Sequence, residues 1–173
     1  MKSKLVFIIV LRFILLILAQ VFIFNKINLG GYLNPMVYLM FILLLPFEIP
    51  KNLVLVISFV LGLSIDLFTG SIGLHAGAAT FMAFMRPLSF RLISSGRDFE
   101  SGILPGIGDL GYVWFISYTL FLTFFHQLFY FTFESFSFSD IGIMIFRIII
   151  NTLLTTILIV LIDLLFKPQV KRK

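Results

Sequence analysis

Apolar residues along this chain fall in long runs separated by short polar breaks. A helix that crosses a hydrocarbon layer of ~30 Å needs about 20 mostly apolar residues, because each residue rises ~1.5 Å. The pattern predicts spans at about residues 5–24, 32–47, 53–69, 72–93, 110–133 and 141–166. The first follows Lys2 and Lys4, as in a signal peptide. Its apolar stretch is too long for an h-region, and Ala19 has no partner for a small-residue cleavage site, so it reads as a retained anchor. The second is the shortest; it opens at Asn34-Pro35 and ends at Pro46-Phe47-Glu48-Ile49-Pro50, where two prolines and a charge stop a helix. A turn at Gly70-Ser71 separates the third from the fourth, and polar stretches at 94–108 and 134–140 set off the fifth and the sixth. No loop exceeds about 15 residues, so residues 1–173 read as a single polytopic domain.

Composition agrees with this reading. The chain is 60% hydrophobic and 12% charged, about half the charge of an ordinary soluble domain. Surface-to-volume scaling leaves no soluble core large enough to hide that much apolar side chain. The expectation is an all-α integral membrane protein of six transmembrane helices. The net charge of +5 is scattered singly between apolar runs, which argues against nucleic acid as a partner. With six spans, Lys2, Lys4, Lys51, Arg86, Arg91, Arg97, Lys167, Lys171, Arg172 and Lys173 fall on one side, and only Lys26 falls on the other. The positive-inside rule then puts both termini in the cytoplasm. No cysteine is present, which excludes disulfides, thiolate metal sites and a cysteine nucleophile.

Ionisable groups at membrane depth need a partner, a cavity or a route to the headgroups. Counting rise per residue places Asp66 and Arg147 both about 10 Å below the outer face. Two opposite charges at one depth predict an ion pair between the third and sixth spans, a clasp that fixes helix register. A proton or substrate relay through Asp66 is the competing reading. Gly62 and Gly70 flank Asp66 at i−4 and i+4, and Gly73, Gly77, Ala79 and Ala83 give the fourth span a small-residue face. Such faces let helices approach closely in lipid. Arg12 and Arg86, about 10 Å from the cytoplasmic face, are candidates for lipid-headgroup contact by snorkelling. Pro87 should kink the fourth span. Tyr112, Trp114, Tyr118 and Tyr130 fit interfacial belts, and the 23 phenylalanines read chiefly as lipid-facing bulk.

Several patterns look like chemistry and lack its context. Gly106-Ile107-Gly108-Asp109-Leu110-Gly111 matches G-x-G-x-x-G, but it opens an apolar helix instead of following a strand. His75 and His126 are two ring nitrogen donors without a third ligand nearby. No nucleophile–base pair or acidic metal cluster stands out, so no enzyme, metal or cofactor is expected.

The string Gly62-Leu63-Ser64-Ile65-Asp66-Leu67-Phe68-Thr69-Gly70-Ser71-Ile72-Gly73-Leu74-His75-Ala76 resembles the signature of the rod shape-determining protein MreD family. That signature is a glycine–aliphatic–aspartate run, a glycine turn and an alanine-rich helix; the specific part ends at Arg86. The resemblance implies a multi-pass scaffold of the bacterial inner membrane without catalytic activity, in the machinery of cell elongation and lateral peptidoglycan synthesis. Its implied partners are an MreC-like bitopic protein, and through it actin-like MreB and the peptidoglycan synthases, besides membrane lipids. The family is similar in fold to the substrate-binding subunits of energy-coupling factor transporters. A vitamin-binding subunit is therefore the alternative, with a site between spans where His75, His126, Asp66 and Arg147 converge.

Overall fold

The computed structural model describes residues 2–27, 32–71, 73–94, 103–135 and 140–166. It is all-helical: α1 (Lys2–Phe22), α2 (Met40–Leu43), α3 (Lys51–Thr69), α4 (Leu74–Ile93), α5 (Ile107–Leu110), α6 (Tyr112–Ser135) and α7 (Ile141–Leu165). Single 3-10 turns lie at Phe24–Lys26 and Val37–Leu39. Among the described residues four helices are long and apolar enough to cross a membrane: Leu5–Lys26, Lys51–Thr69, Tyr112–Ser135 and Ile141–Leu165. Helix α4 is as long, but Gly77, four alanines and two arginines make it less apolar. It packs between α3 and α6, and α6 in turn packs on α7. Arg97 and the basic residues beyond Phe166 lie outside the described residues, as does the side chain of each N-terminal lysine.

The second apolar run departs from expectation. It is not a transmembrane helix: only Val37–Leu39 and Met40–Leu43 are helical, and the segment is the centre of the core. Every residue from 35 to 46 is buried. The backbone runs back alongside α1, since Tyr38 N–H meets Gln20 Oε1 and Arg12 Nη1 meets the Leu44 carbonyl, at 3.2 and 3.3 Å. Pro35 withholds an N–H at its start, while Pro46 and Pro50 prevent elongation at its end. Irregular backbone is tolerated among apolar helices only where protein surrounds it and satisfies its polar groups. Here side chains do so at both ends. The amides of Asn34 and Met36 donate to Asn151 Oδ1 (2.6 Å) and Thr155 Oγ1 (3.1 Å) of α7. At the other end, the Leu43 carbonyl accepts from the Tyr118 hydroxyl at 3.2 Å, and Arg86 Nη2 donates to the Leu45 carbonyl.

Candidate functional site

The motif segment folds as one device at the α3–α4 junction. Helix α3 stops because Gly70 takes a left-handed conformation (φ +71°) and returns its N–H to the Asp66 carbonyl at 2.9 Å. Gly73 is left-handed as well (φ +75°), so α4 starts at the next residue, Leu74, and doubles back over α3. The first amides of a helix lack intrahelical acceptors, and α4 has no capping side chain of its own. Asp66 supplies the acceptor from the preceding helix. Its Oδ1 accepts from Ser71 Oγ (2.6 Å) and the His75 amide (3.0 Å), and its Oδ2 accepts from the Ala76 amide (2.9 Å). A carboxylate at a helix N-terminus is also favoured by the helix dipole. Gly62, one turn before Asp66, lies directly under the His75 carbonyl and the Ala76 Cα.

This geometry corrects the expected Asp66–Arg147 pair. Asp66 is an interhelical cap, with its oxygens occupied by three donors of the α3–α4 junction. Arg147 instead pairs with Glu134 at 2.8 Å and lies 4.5 Å over the Phe131 ring. Depth along a helix axis says nothing about rotation around it, and Glu134 faces Arg147 across the short α6–α7 hairpin. Ending the fifth span at Phe133 hid this partner; α6 runs on to Ser135. A double-mutant cycle reads the difference. Asp66→Asn with Arg147→Gln should be additive within about 0.5 kcal/mol. Glu134→Gln with Arg147→Gln should couple by ~0.5–1 kcal/mol, the upper end for solvent-reached pairs, because both side chains are largely covered. Coupling in the first cycle and none in the second would reinstate the Asp66–Arg147 pair.

The arginines are corrected as well. Arg86 does not snorkel to headgroups: it is 4% exposed, its Nε donates to the Tyr118 hydroxyl at 2.9 Å, and its guanidinium lies 5.0 Å from the Phe90 ring centre. Arg12 is half-buried and turns inward to the Leu44 carbonyl. Both satisfy carbonyls at the end of the unwound segment, a requirement invisible while that segment was read as a regular helix. Tyr118 and Tyr130 are likewise core residues, not interfacial anchors.

His75 and His126 converge on Tyr38, a residue that no sequence motif marks. The Tyr38 hydroxyl lies 3.1 Å from His75 Nδ1 and 2.7 Å from His126 Nε2. A hydroxyl has one proton, so it donates to at most one ring, and at least one of the two imidazoles turns an N–H toward it. Tyr130 packs on His75 with ring centres 4.7 Å apart. Neither Asp66 nor Arg147 presents a charge to the two rings through a hydrogen bond; the Asp66 carboxylate touches His75 only at its backbone amide. Among the described residues no group of three or more metal-ligating side chains comes together.

The small residues of α4 take different roles. Ala79 and Ala83 are buried in the core, while Gly77 lies against the Phe129 ring of α6. Gly70 and Gly73 are turn formers with open space where a Cβ would stand, so backbone conformation and not packing requires glycine there. Beside the junction is a cavity of about 440 Å³, lined by residues of α1, of the Phe24–Lys26 turn and of the segments around Asn34 and Ser71, together with His75 and Tyr130.

Comparisons of the chain with protein-family models, curated proteins and solved structures return no match.

Proposed function

We propose that this chain is a non-catalytic scaffold of a bacterial inner membrane, serving the cell-elongation machinery that directs lateral peptidoglycan synthesis and sets cell shape. The observation that carries this reading is the α3–α4 clasp. The segment that resembles the MreD family is engaged throughout in fixing one helix against the next, with Gly62 as the contact, Asp66 as the cap and Gly70 and Gly73 as the turn. A framework held this rigidly presents its outer faces in a fixed arrangement. Helix α1 exposes Phe7, Leu11, Leu15, Leu18 and Phe22. In lipid such faces select partners by close packing, since lipid tails are as apolar as the side chains. The partner of this reading is an MreC-like bitopic protein, and through it actin-like MreB and the wall synthases.

In the same reading the chain passes the membrane six times, with five long helices and the unwound segment as the sixth pass. Both termini are cytoplasmic, supported by the basic residues collected at one end. Green fluorescent protein fused after Lys173 should fluoresce, and alkaline phosphatase fused there should be inactive; the opposite pair of results inverts the map. Extraction in native-lipid discs should co-purify a single-pass protein, and depletion of the chain should round or widen cells. A partnerless, monodisperse chain whose loss leaves cell shape unchanged would remove the scaffold reading.

A further inference from the structure

The cavity beside the clasp shares Ser71 and His75 with it, and the rest of its wall carries chemistry of its own. We propose that this cavity binds a small organic anion, a carboxylate or phosphate head carried on an apolar body. The inference goes beyond the scaffold reading and does not depend on it. Among the described residues lining the cavity, Lys26 is the one charged side chain, and none is a carboxylate. The 3-10 turn Phe24–Lys26 carries that lysine, and Gln20 holds the turn in place by donating from Nε2 to Asn25 Oδ1 (2.7 Å) and to the Pro35 carbonyl (2.9 Å). Asn34 and His75 add neutral polar contacts, while Phe24 and Phe68 give apolar walls.

The Asp66 carboxylate keeps its charge but sits behind Ser71 and His75 with its oxygens turned to three donors, and Arg147 is paired with Glu134, so Lys26 is the ionised side chain that the described cavity wall itself presents. A concave site with one cation and low-dielectric walls favours an anion. The volume of about 440 Å³ lies within the ~300–1,000 Å³ range of small-molecule sites. The head could belong to a soluble organic acid or to an anionic lipid, because Lys26 is exposed and ends the first helix long and apolar enough to cross a membrane.

The experiment uses the full chain in nanodiscs of phosphatidylcholine. Its thermal stability is followed while benzoate, glycerol 1-phosphate or the neutral isostere benzamide is added, and the series is repeated in nanodiscs containing phosphatidylglycerol. Binding to the folded state raises Tm in a saturable way. A rise with benzoate or glycerol 1-phosphate but not with benzamide supports a soluble anion. A rise with phosphatidylglycerol that the soluble anions do not extend supports the lipid source. In either case Lys26→Gln should keep the unliganded Tm, because the side chain is exposed, and weaken the response about fivefold, the loss expected for one partly solvated charge pair. Val21→Trp, which fills the cavity, should abolish the response. The proposal is overturned if no anion shifts Tm in either lipid, if benzamide acts as well as benzoate, or if Lys26→Gln responds as the parent does.

Discussion

Replacing Gly62 with alanine should lower the thermal stability of the solubilised protein more than adding a methyl group at any other helical glycine among the described residues. The new Cβ would stand 2.5 Å from the Ala76 Cα and closer still to the His75 carbonyl oxygen. Ordinary carbon–carbon contact is ~3.5–4.0 Å, so α4 would have to move by about 1 Å. Both obstacles are backbone, and the Asp66 cap holds that backbone in place. Helix propensity acts in the opposite direction, because alanine is better than glycine in a helix interior by ~1 kcal/mol. Overpacking costs ~1–3 kcal/mol where side chains can adjust and more where they cannot. The steric term wins, with a net loss of about 3 kcal/mol, or ~6–12 °C in Tm for a chain of this size. Two controls isolate the cause. Gly77→Ala meets the Phe129 ring, which can turn aside, and Gly142→Ala meets nothing within 4 Å. The first should cost little, and the second should be neutral or slightly stabilising. Asp66→Asn removes one acceptor oxygen from the same junction and should cost ~1–3 kcal/mol. Combined with Gly62→Ala its effect should be less than additive, because either change alone loosens the same contact. If Gly62→Ala proves as stable as Gly142→Ala, the close crossing of α3 and α4 does not exist.

How much of this was legible in the sequence depends on what each signal can encode. Run length and hydropathy identify helices long enough to cross lipid, and α1, α3, α6 and α7 follow them to within a few residues. The same signal cannot tell lipid from protein as the surrounding medium. Residues 32–47 are therefore as apolar as a span, although they form the protein's own core; the prolines at 35, 46 and 50 were the available hint that no continuous helix forms. Small residues at helical spacing point to Gly62, and Gly62 lies against the α4 backbone at His75 and Ala76. Asp66 was harder to place. Its partners are main-chain amides, which leave no trace in residue type, and only the paired glycines at 70 and 73 show that α4 turns back onto it. Tyr38 carries no sequence signal, because its hydroxyl meets His75 of α4 and His126 of α6 only through the course of the unwound segment.

Removing the guanidinium of Arg86 should release that unwound segment. Arg86→Met keeps the volume and apolar stem but leaves the Leu45 carbonyl without its donor and the Tyr118 hydroxyl with only the Leu43 carbonyl. Two terms compete. Taking a cation out of a dry interior relieves a desolvation cost of several kcal/mol, which is why apolar replacements of whole buried ion networks can be tolerated. Here, however, the acceptors stay behind. A hydrogen bond from a charged donor contributes ~1.5–3 kcal/mol, and a buried carbonyl left alone costs a further ~1–3 kcal/mol. Lost packing of the guanidinium against Phe90 and Phe47 adds to the deficit. The expected net loss is ~2–4 kcal/mol, with Arg86→Lys intermediate, because a single ammonium cannot reproduce the planar fork that reaches both the carbonyl and the phenol. The absence of native cysteine makes the consequence directly visible. A lone cysteine introduced at Leu43, which is buried, should be inert to a water-soluble maleimide in the parent and react in the Arg86→Met background. A cysteine at Ala78, buried in α4, should stay inert in both backgrounds, and its reaction in Arg86→Met would report general unfolding instead. Equal protection of position 43 in the two backgrounds would mean that the arginine is dispensable for holding the segment, and that α1, α6 and α7 suffice to satisfy its backbone.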